Sequence, residues 1–195
     1  MSQALLQHRA HQQDLSTPAG AEPGSAFNWL PGELWAERGS AGDYDELATL
    51  HYRASRPATW CEVVAIRHRL PHRPVPVLAA VGVLSWPTAV SATRSHVFGL
   101  DDGSYGDRIA WANRHIRTIS RVIIRPSHRG AGLASAVVRE LVRRCPTRYI
   151  EATARMADCH PFFERGGLTR IDLPDRPPYF WADANADAGE GDVGD

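Results

Sequence analysis

The chain has 195 residues, enough for one good core, and its 22 acidic and 22 basic residues cancel to a formal net charge of zero. Every basic residue is Arg, so the absence of Lys excludes Schiff-base chemistry, a Walker-type phosphate lysine and acylation of the chain's own lysines. Cys61, Cys145 and Cys159 lack the paired spacings of a disulfide framework or a zinc site, no apolar run reaches membrane-helix length, and the N-terminus lacks a signal peptide's apolar block; no metal, no membrane and a reducing, cytoplasmic setting are expected.

In chain order, residues 1–26 mix Gln, His, Ala, Pro, Gly and Ser with little apolar content and are expected to form a mobile arm ahead of one domain over 27–182. Phe27 to Glu37 places Trp29, Leu30, Leu34 and Trp35 at helical spacing, with Pro31 tolerated near a helix start. A second helix is expected from Asp43, an N-cap residue type, to a point before Pro57, with Tyr44, Leu47, Leu50 and His51 near one face. Thr59 to Arg67 and Val75 to Ser85 read as an antiparallel strand pair, in which Gly82 marks a bulge or a close backbone approach. Trp86 to Leu100 reads as a loop, and residues 104–114 as a short helix.

Ile116 to Ile124 is a β-branched strand, and Gly132 to Arg144 a helix with a broad stripe of Leu133, Val137, Val138, Leu141 and Val142. Tyr149 to Thr153 is a short strand beside the central one. A helix over about 157–165 is expected to stop at Gly166-Gly167, followed by a last strand, Leu168 to Leu173. Tyr179, Phe180 and Trp181 dock the end of the domain, and 183–195, with five acids and no base, reads as a disordered tail. Residues 104–148 carry ten Arg against Asp107 and Glu140. Such a segment either faces phosphates or forms a solvated surface interleaved by acids from elsewhere in the fold.

The informative stretch is Ile119 to Val138: strand, glycine turn, helix start. The first N–H groups of a helix lack internal partners and its dipole is positive there, so the junction suits an anion; a tight empty turn is the plain alternative. It is neither a dinucleotide fingerprint, whose spacing is absent, nor a P-loop, whose Lys is absent. Arg129-Gly130-Ala131-Gly132-Leu133-Ala134 does match the Arg-x-x-Gly-x-Ala pyrophosphate loop, and the chain resembles the GCN5-related N-acetyltransferase (GNAT) superfamily. The likeness extends to the strand ending Val-Ile-Ile-Arg-Pro and to His160-Pro-Phe-Phe-Glu-Arg-Gly-Gly-Leu168, which is similar to the superfamily's closing aromatic-Glu-Lys-x-Gly-Phe segment. It covers about 44–172 in element order and 119–168 in motif.

The resemblance implies an α/β (α+β) fold: a mixed, centrally splayed β-sheet flanked by helices. It implies acetyl-CoA as acyl donor, its pantetheine against Val122, Ile123 and Ile124, its pyrophosphate on Arg129 to Ala134, and the N–H near Val122 as oxyanion donor. Many members carry a proton-donating Tyr where this chain has Phe163; Tyr149, Cys159 and His160 are the nearby substitutes. Glu151 and Ser120 are the polar residues in core strands, where a polar group needs a partner or a purpose, so each either orders the sheet splay or acts in catalysis. His51-Tyr52, at the end of the helix expected from Asp43, falls on the acceptor side of such a cleft, although a helix C-terminal His also serves the dipole.

The resemblance implies a small-molecule or protein amine as acceptor, and the oligomeric state is not read from the sequence. A fainter similarity, in His51-Tyr52, Ser120-Arg121 and the arginine-rich centre, is to phage Mom-type DNA adenine modification proteins of the same fold. It implies a nucleic-acid partner met by Arg108, Arg114, Arg117 and Arg121. Phe163 motivates a third possibility, a CoA-binding module without catalysis.

Overall fold

The computed structural model describes residues 32–51 and 56–186. The expectations for the N-terminal arm, for Tyr52 and for most of the acidic tail lie outside the described residues. Residues 33–38 form strand β1 (Glu33–Arg38), which corrects the helix expected over Phe27 to Glu37. Its register against β2 (Glu62–Arg69) explains the change, because Glu33 faces Arg69 and Glu37 lies next to Arg67 across the pair. Cross-strand ion pairs and the Arg69 guanidinium over Trp35 reward the extended form, and Leu34 alone reaches the core. Helix α1 (Ala41–Ala48) starts before Asp43, because Ser40 is the cap. Ser40 and Asp43 exchange side-chain and backbone bonds as a capping box, with Tyr44 and Leu47 buried and Leu50 left exposed.

Strand β3 (Val77–Ser85) pairs antiparallel with β2, as expected. Between β3 and β4 (Ile116–Ile124) the chain makes two helices, α2 (Ala92–Phe98) and α3 (Tyr105–His115). The first of these corrects the loop expected over Trp86 to Leu100. Ser91 caps it, Gly99 at φ 64° ends it, and its buried residues are Arg94 and Ser95, so no apolar stripe announces it. Helix α4 (Leu133–Arg143) and strand β5 (Tyr149–Thr153) fall where expected. The helix expected over 157–165 is instead two 3₁₀ turns, Arg155–Asp158 and Glu164–Gly166, separated by the segment holding Pro161, which cannot continue a helical hydrogen-bond ladder. Gly167, at φ 96°, supplies the left-handed stop. Strands β6 (Thr169–Ile171) and β7 (Tyr179–Asp183) close the sheet, with β7 between β5 and β6 rather than docked as a terminal segment.

Among the described residues seven strands lie in the order β1-β2-β3-β4-β5-β7-β6, all neighbours antiparallel except β4 and β5. That one parallel contact lasts for Ile116↔Tyr149, Arg117↔Ile150 and Thr118↔Glu151, after which β4 continues to Ile124 on β3 alone. This is the mixed, centrally splayed sheet that the GNAT resemblance implies. Helix α4 covers one face, setting Leu133, Val137, Val138 and Leu141 against Val64, Ile66, Ala80, Leu84, Ile119, Ile150 and Phe180. Helix α1 covers the other, where Tyr44 and Leu47 meet Val63, Ala65, Val81, Val83 and Ile123. Among the described residues no helix is long and apolar enough to cross a membrane.

Two bulges bend the sheet. Pairing steps from Val83↔Arg121 to Leu84↔Ile119, which makes Ser120 the extra residue of β4, and from Ile66↔Ala80 to Arg67↔Leu78, which makes Ala79 the extra residue of β3. Gly82 is not a bulge; it is the close approach, since a Cβ there would sit 2.3 Å from Val137 Cγ1 and 2.9 Å from Leu141 Cδ1. Gly82→Val therefore forces α4 off the sheet and lowers stability by about 1–3 kcal/mol in chemical denaturation. An unchanged midpoint would mean that the helix is not seated on β3 as described.

Candidate functional site

The end of β4 is pinned before the glycine turn begins. The Arg125 N–H donates to the Ala79 carbonyl at 2.9 Å, its Nε donates to Leu78 O at 2.6 Å, and its guanidinium meets Glu46 on α1. After the 3₁₀ turn Pro126–His128, Gly130 and Gly132 adopt φ of 82° and 73°, which only glycine takes without strain. Gly132 is the N-cap of α4 and brings no side chain to the task. Ala136, donating to Gly132 O, is the first residue to bond within the helix. Among the described residues, no protein acceptor meets the N–H groups of Gly130, Ala131, Gly132, Leu133, Ala134 or Ser135. Open space lies in front, since a Cβ on Gly130 or Gly132 would meet nothing within 4 Å. Ala131 and Leu133 root the turn in the core, and Arg129 stands exposed beside it.

A buried histidine pair braces the turn from behind. His68 Nδ1 on β2 and His128 Nε2 lie 2.8 Å apart with rings edge to face, and Ser127 Oγ is 3.0 Å from His128 Nδ1. Burial, then the neighbouring His68 and Arg125, holds the His128 pKa below the ordinary histidine value.

Where β4 leaves β5, its second edge carries no strand among the described residues. The Arg125 N–H points to β3, so strand alternation turns the N–H groups of Val122 and Ile124 to that open edge. Val122 and Ile124 are half-buried against the α4 side of the core, and Ile123 is buried on the α1 side. At the bulge, Ser120 Oγ lies 2.7 Å from Ser85 Oγ, which in turn donates to Thr59 O at 2.6 Å.

Glu151 sits at the last paired position before the parting and is 4% exposed. Its Oε1 accepts from Arg94 Nη2 at 2.6 Å and Thr118 Oγ1 at 2.7 Å; its Oε2 accepts from Arg94 Nε at 2.9 Å and Tyr179 Oη at 2.7 Å. A carboxylate has about four lone-pair directions, and all are taken. Burial works against the Arg94 charge, but Glu151 more than offsets it and raises the Arg94 pKa. Burial, reinforced by the adjacent carboxylate, pushes the Tyr179 phenol up.

The other expected residues are dispersed. Phe163 is 4% exposed and stacks on Phe180 at 4.8 Å, so the ring in the usual tyrosine place belongs to the core. Tyr149 joins Phe98, Trp111 and Trp181 in an aromatic cluster at the closed end of the β4–β5 contact. Cys159 and His160 are exposed, and His51 is half-buried just after α1. Arg108 is half-buried and Arg114 exposed on α3, while Arg117 lies against Trp86 and Arg121 donates to Ser120 O, so the four arginines do not line one surface. Arg94, Thr118, Tyr179 and Ser85 were missed by sequence reasoning. The one signal for Arg94 was a capping Ser91 followed by a stopping Gly99.

No family model and no curated protein matches the chain. Among solved structures the fold is similar to that of SsHAT, at 11% identity over 77% of this chain and 98% of that one, with a TM-score of 0.48. A GNAT-family acetyltransferase from Bacillus cereus is similar at 13% identity, 78% and 98% coverage and a TM-score of 0.48. A KacTA–DNA complex is similar at 15% identity, 79% and 95% coverage and a TM-score of 0.47. At these identities the likeness is one of fold.

The histidine pair carries a pH dependence. With its folded pKa depressed, His128 stabilises the fold fully above the unfolded value of about 6.5, and that contribution is lost as pH falls through 6.5 toward the folded value. Melting temperature drops at the acid end of a series from about pH 8 to 5.5, and His128→Gln, whose amide can serve both neighbours, flattens the drop. An equal slope in the variant would assign the titration to another group.

Proposed function

We propose that the chain is an acyl-CoA-dependent N-acyltransferase of the GNAT superfamily, moving an acetyl group from acetyl-CoA to an amine. The observation that carries this reading is the run of unpaired N–H groups from Gly130 to Ser135, at the start of α4 and at the end of the strand with an open edge. A pyrophosphate satisfies those groups and the helix dipole, with Arg129 adding charge. From there a pantetheine arm can run along Val122 to Ile124, pairing with the N–H groups that β5 leaves free. The thioester supplies an activated acyl group.

The chain's own groups divide the remaining work. The Val122 N–H, fixed on the open edge, is placed to stabilise an oxyanion. Ser85 spends its proton on Thr59 O, so the single Ser120 proton is shared between Ser85 Oγ and Val83 O, and Ser120 keeps lone pairs with which to orient an amine N–H. Glu151 has no lone pair left to act as base, and its role is to hold the cleft's closed end. Histidine exchanges protons near neutrality, which leaves His51 as the proton acceptor of the acceptor side. A second reading, a CoA-binding module without turnover, is favoured by the burial of Phe163, which leaves the leaving thiolate without the usual phenol.

Titration calorimetry with acetyl-CoA and an assay for free thiol over a panel of amines separate the two readings: binding with turnover supports the enzyme, and binding without turnover the module. Gly132→Glu puts an anion in the cradle and weakens acetyl-CoA binding about a hundredfold, roughly 2.7 kcal/mol. Gly132→Ala carries the same left-handed strain without the charge and loses far less. Equal affinity in the Gly132→Glu variant and the unaltered chain would remove the cofactor assignment.

A further inference from the structure

Antiparallel neighbours need only a short hairpin, yet residues 86–115 intervene between β3 and β4. This excursion carries α2 and α3, and neither is held by a normal apolar face. The buried residues of α2 are Arg94 and Ser95; that of α3 is Ala112. The excursion touches the sheet at an aromatic cluster, Phe98 and Trp111 with Tyr149 and Trp181, at Arg117 of β4, which lies over Trp86 and donates to Asn113 O at 2.8 Å, and at the Arg94–Glu151 pair. Of these, only the last grips α2 by two points on one carboxylate. Ring packing tolerates sliding, whereas a two-point guanidinium–carboxylate contact defines one position and one orientation.

That position is the parting of the sheet. Glu151 is joined to β4 through Thr118, to β7 through Tyr179 and to α2 through Arg94, and Arg94 Nη1 also donates to Thr88 O at 2.8 Å, tying down the start of the excursion. Ser85, the last residue of β3, bonds Ser120 at the bulge of β4, so the excursion leaves the sheet beside the point where an acyl group would lie. Buried ion pairs contribute little net stability against apolar substitutes, and their best-attested use is to fix one arrangement.

We propose that Arg94 is a positioning residue: through Glu151 it latches the 86–98 segment over the closed end of the cleft and makes it the wall against which the acceptor amine is aligned. The proposal rests on the acyl-transfer reading above. The latch does not touch the donor; its loss loosens the acceptor wall and leaves the pyrophosphate cradle as it is.

The experiment uses the full chain, Arg94→Lys, Arg94→Met and, because a lone buried carboxylate can prevent folding, the double variant R94M/E151Q, which removes both charges together. Acetyl-CoA affinity is measured by calorimetry and backbone exchange by mass spectrometry. If the unaltered chain does not bind acetyl-CoA, the acyl-transfer reading fails. Exchange over 86–98 still tests the latch, because it reports local opening whether or not a ligand binds. The latch predicts that in Arg94→Met and in the double variant, exchange over 86–98 speeds about tenfold or more while β4 and β5 keep their protection. It further predicts acetyl-CoA affinity within about threefold of the unaltered chain, with Arg94→Lys restoring part of the protection. For any amine the unaltered chain acetylates, KM rises and kcat is largely kept. Unchanged protection over 86–98 overturns the latch. So does a joint loss of protection and acetyl-CoA affinity, which would make the pair a general support of the fold.

Discussion

Two parallel strands that stay bonded for three residue pairs and then part impose the main constraint on this molecule. Parting strips hydrogen-bond partners from one edge of β4 inside the sheet, where unpaired N–H and C=O groups are costly. The structure confines that cost. The bulge at Ser120 turns the strand at the parting, and the carboxylate of Glu151 closes the apex with donors from three other elements. What remains is an open edge on one strand, ending in a helix start whose own N–H groups are unpaired. The two polar deficits are contiguous.

Placement of that helix start depends on two glycines far from the turn. A Cβ on Gly82 would collide with Val137, and one on Gly166 would lie 2.3 Å from Val138 Cγ1. Helix α4 thus beds directly on the backbone of β3 on one side and on the closing 3₁₀ turn on the other. Tight bedding on both flanks sets where its first turn points relative to β4. Gly130 and Gly132 then serve a different need, positive φ with open space ahead, so glycine chemistry builds both the seat of the helix and its mouth.

The sequence carried the glycine turn and the strand before it more openly than the excursion between β3 and β4. β4 is legible because it is β-branched and unbroken, and the glycine turn because φ above zero leaves a residue-type mark. Edge strand β1 is not, since Trp35 and Leu34 fit a helical spacing and the partners that make it extended, Arg67 and Arg69, lie on β2. Helix α2 is hidden because an arginine occupies its buried face. The role of Glu151 was open between ordering the splay and catalysis, and the residue that favours the first, Arg94, is 57 positions away. The arginine-rich stretch also resolves in space: Arg125 meets Glu46, Arg144 reaches Glu140 and Glu62, and Arg148 meets Asp183. Acids from elsewhere in the fold interleave it, and such exposed pairs shape the surface more than they stabilise it.

The Arg94–Glu151 pair also constrains how this sequence can change over time. Removing one member strands a buried charge at a cost of about 3–5 kcal/mol, a large share of a domain's stability, whereas exchanging both for apolar residues of similar volume is often neutral. Single substitutions at either position therefore run uphill although the destination is level. Thr118 and Tyr179, which share the carboxylate, can drift one at a time. The charged pair cannot, and a lineage leaves it only by changing both residues together, so the two positions should vary jointly or stay as they are wherever this excursion between β3 and β4 is kept.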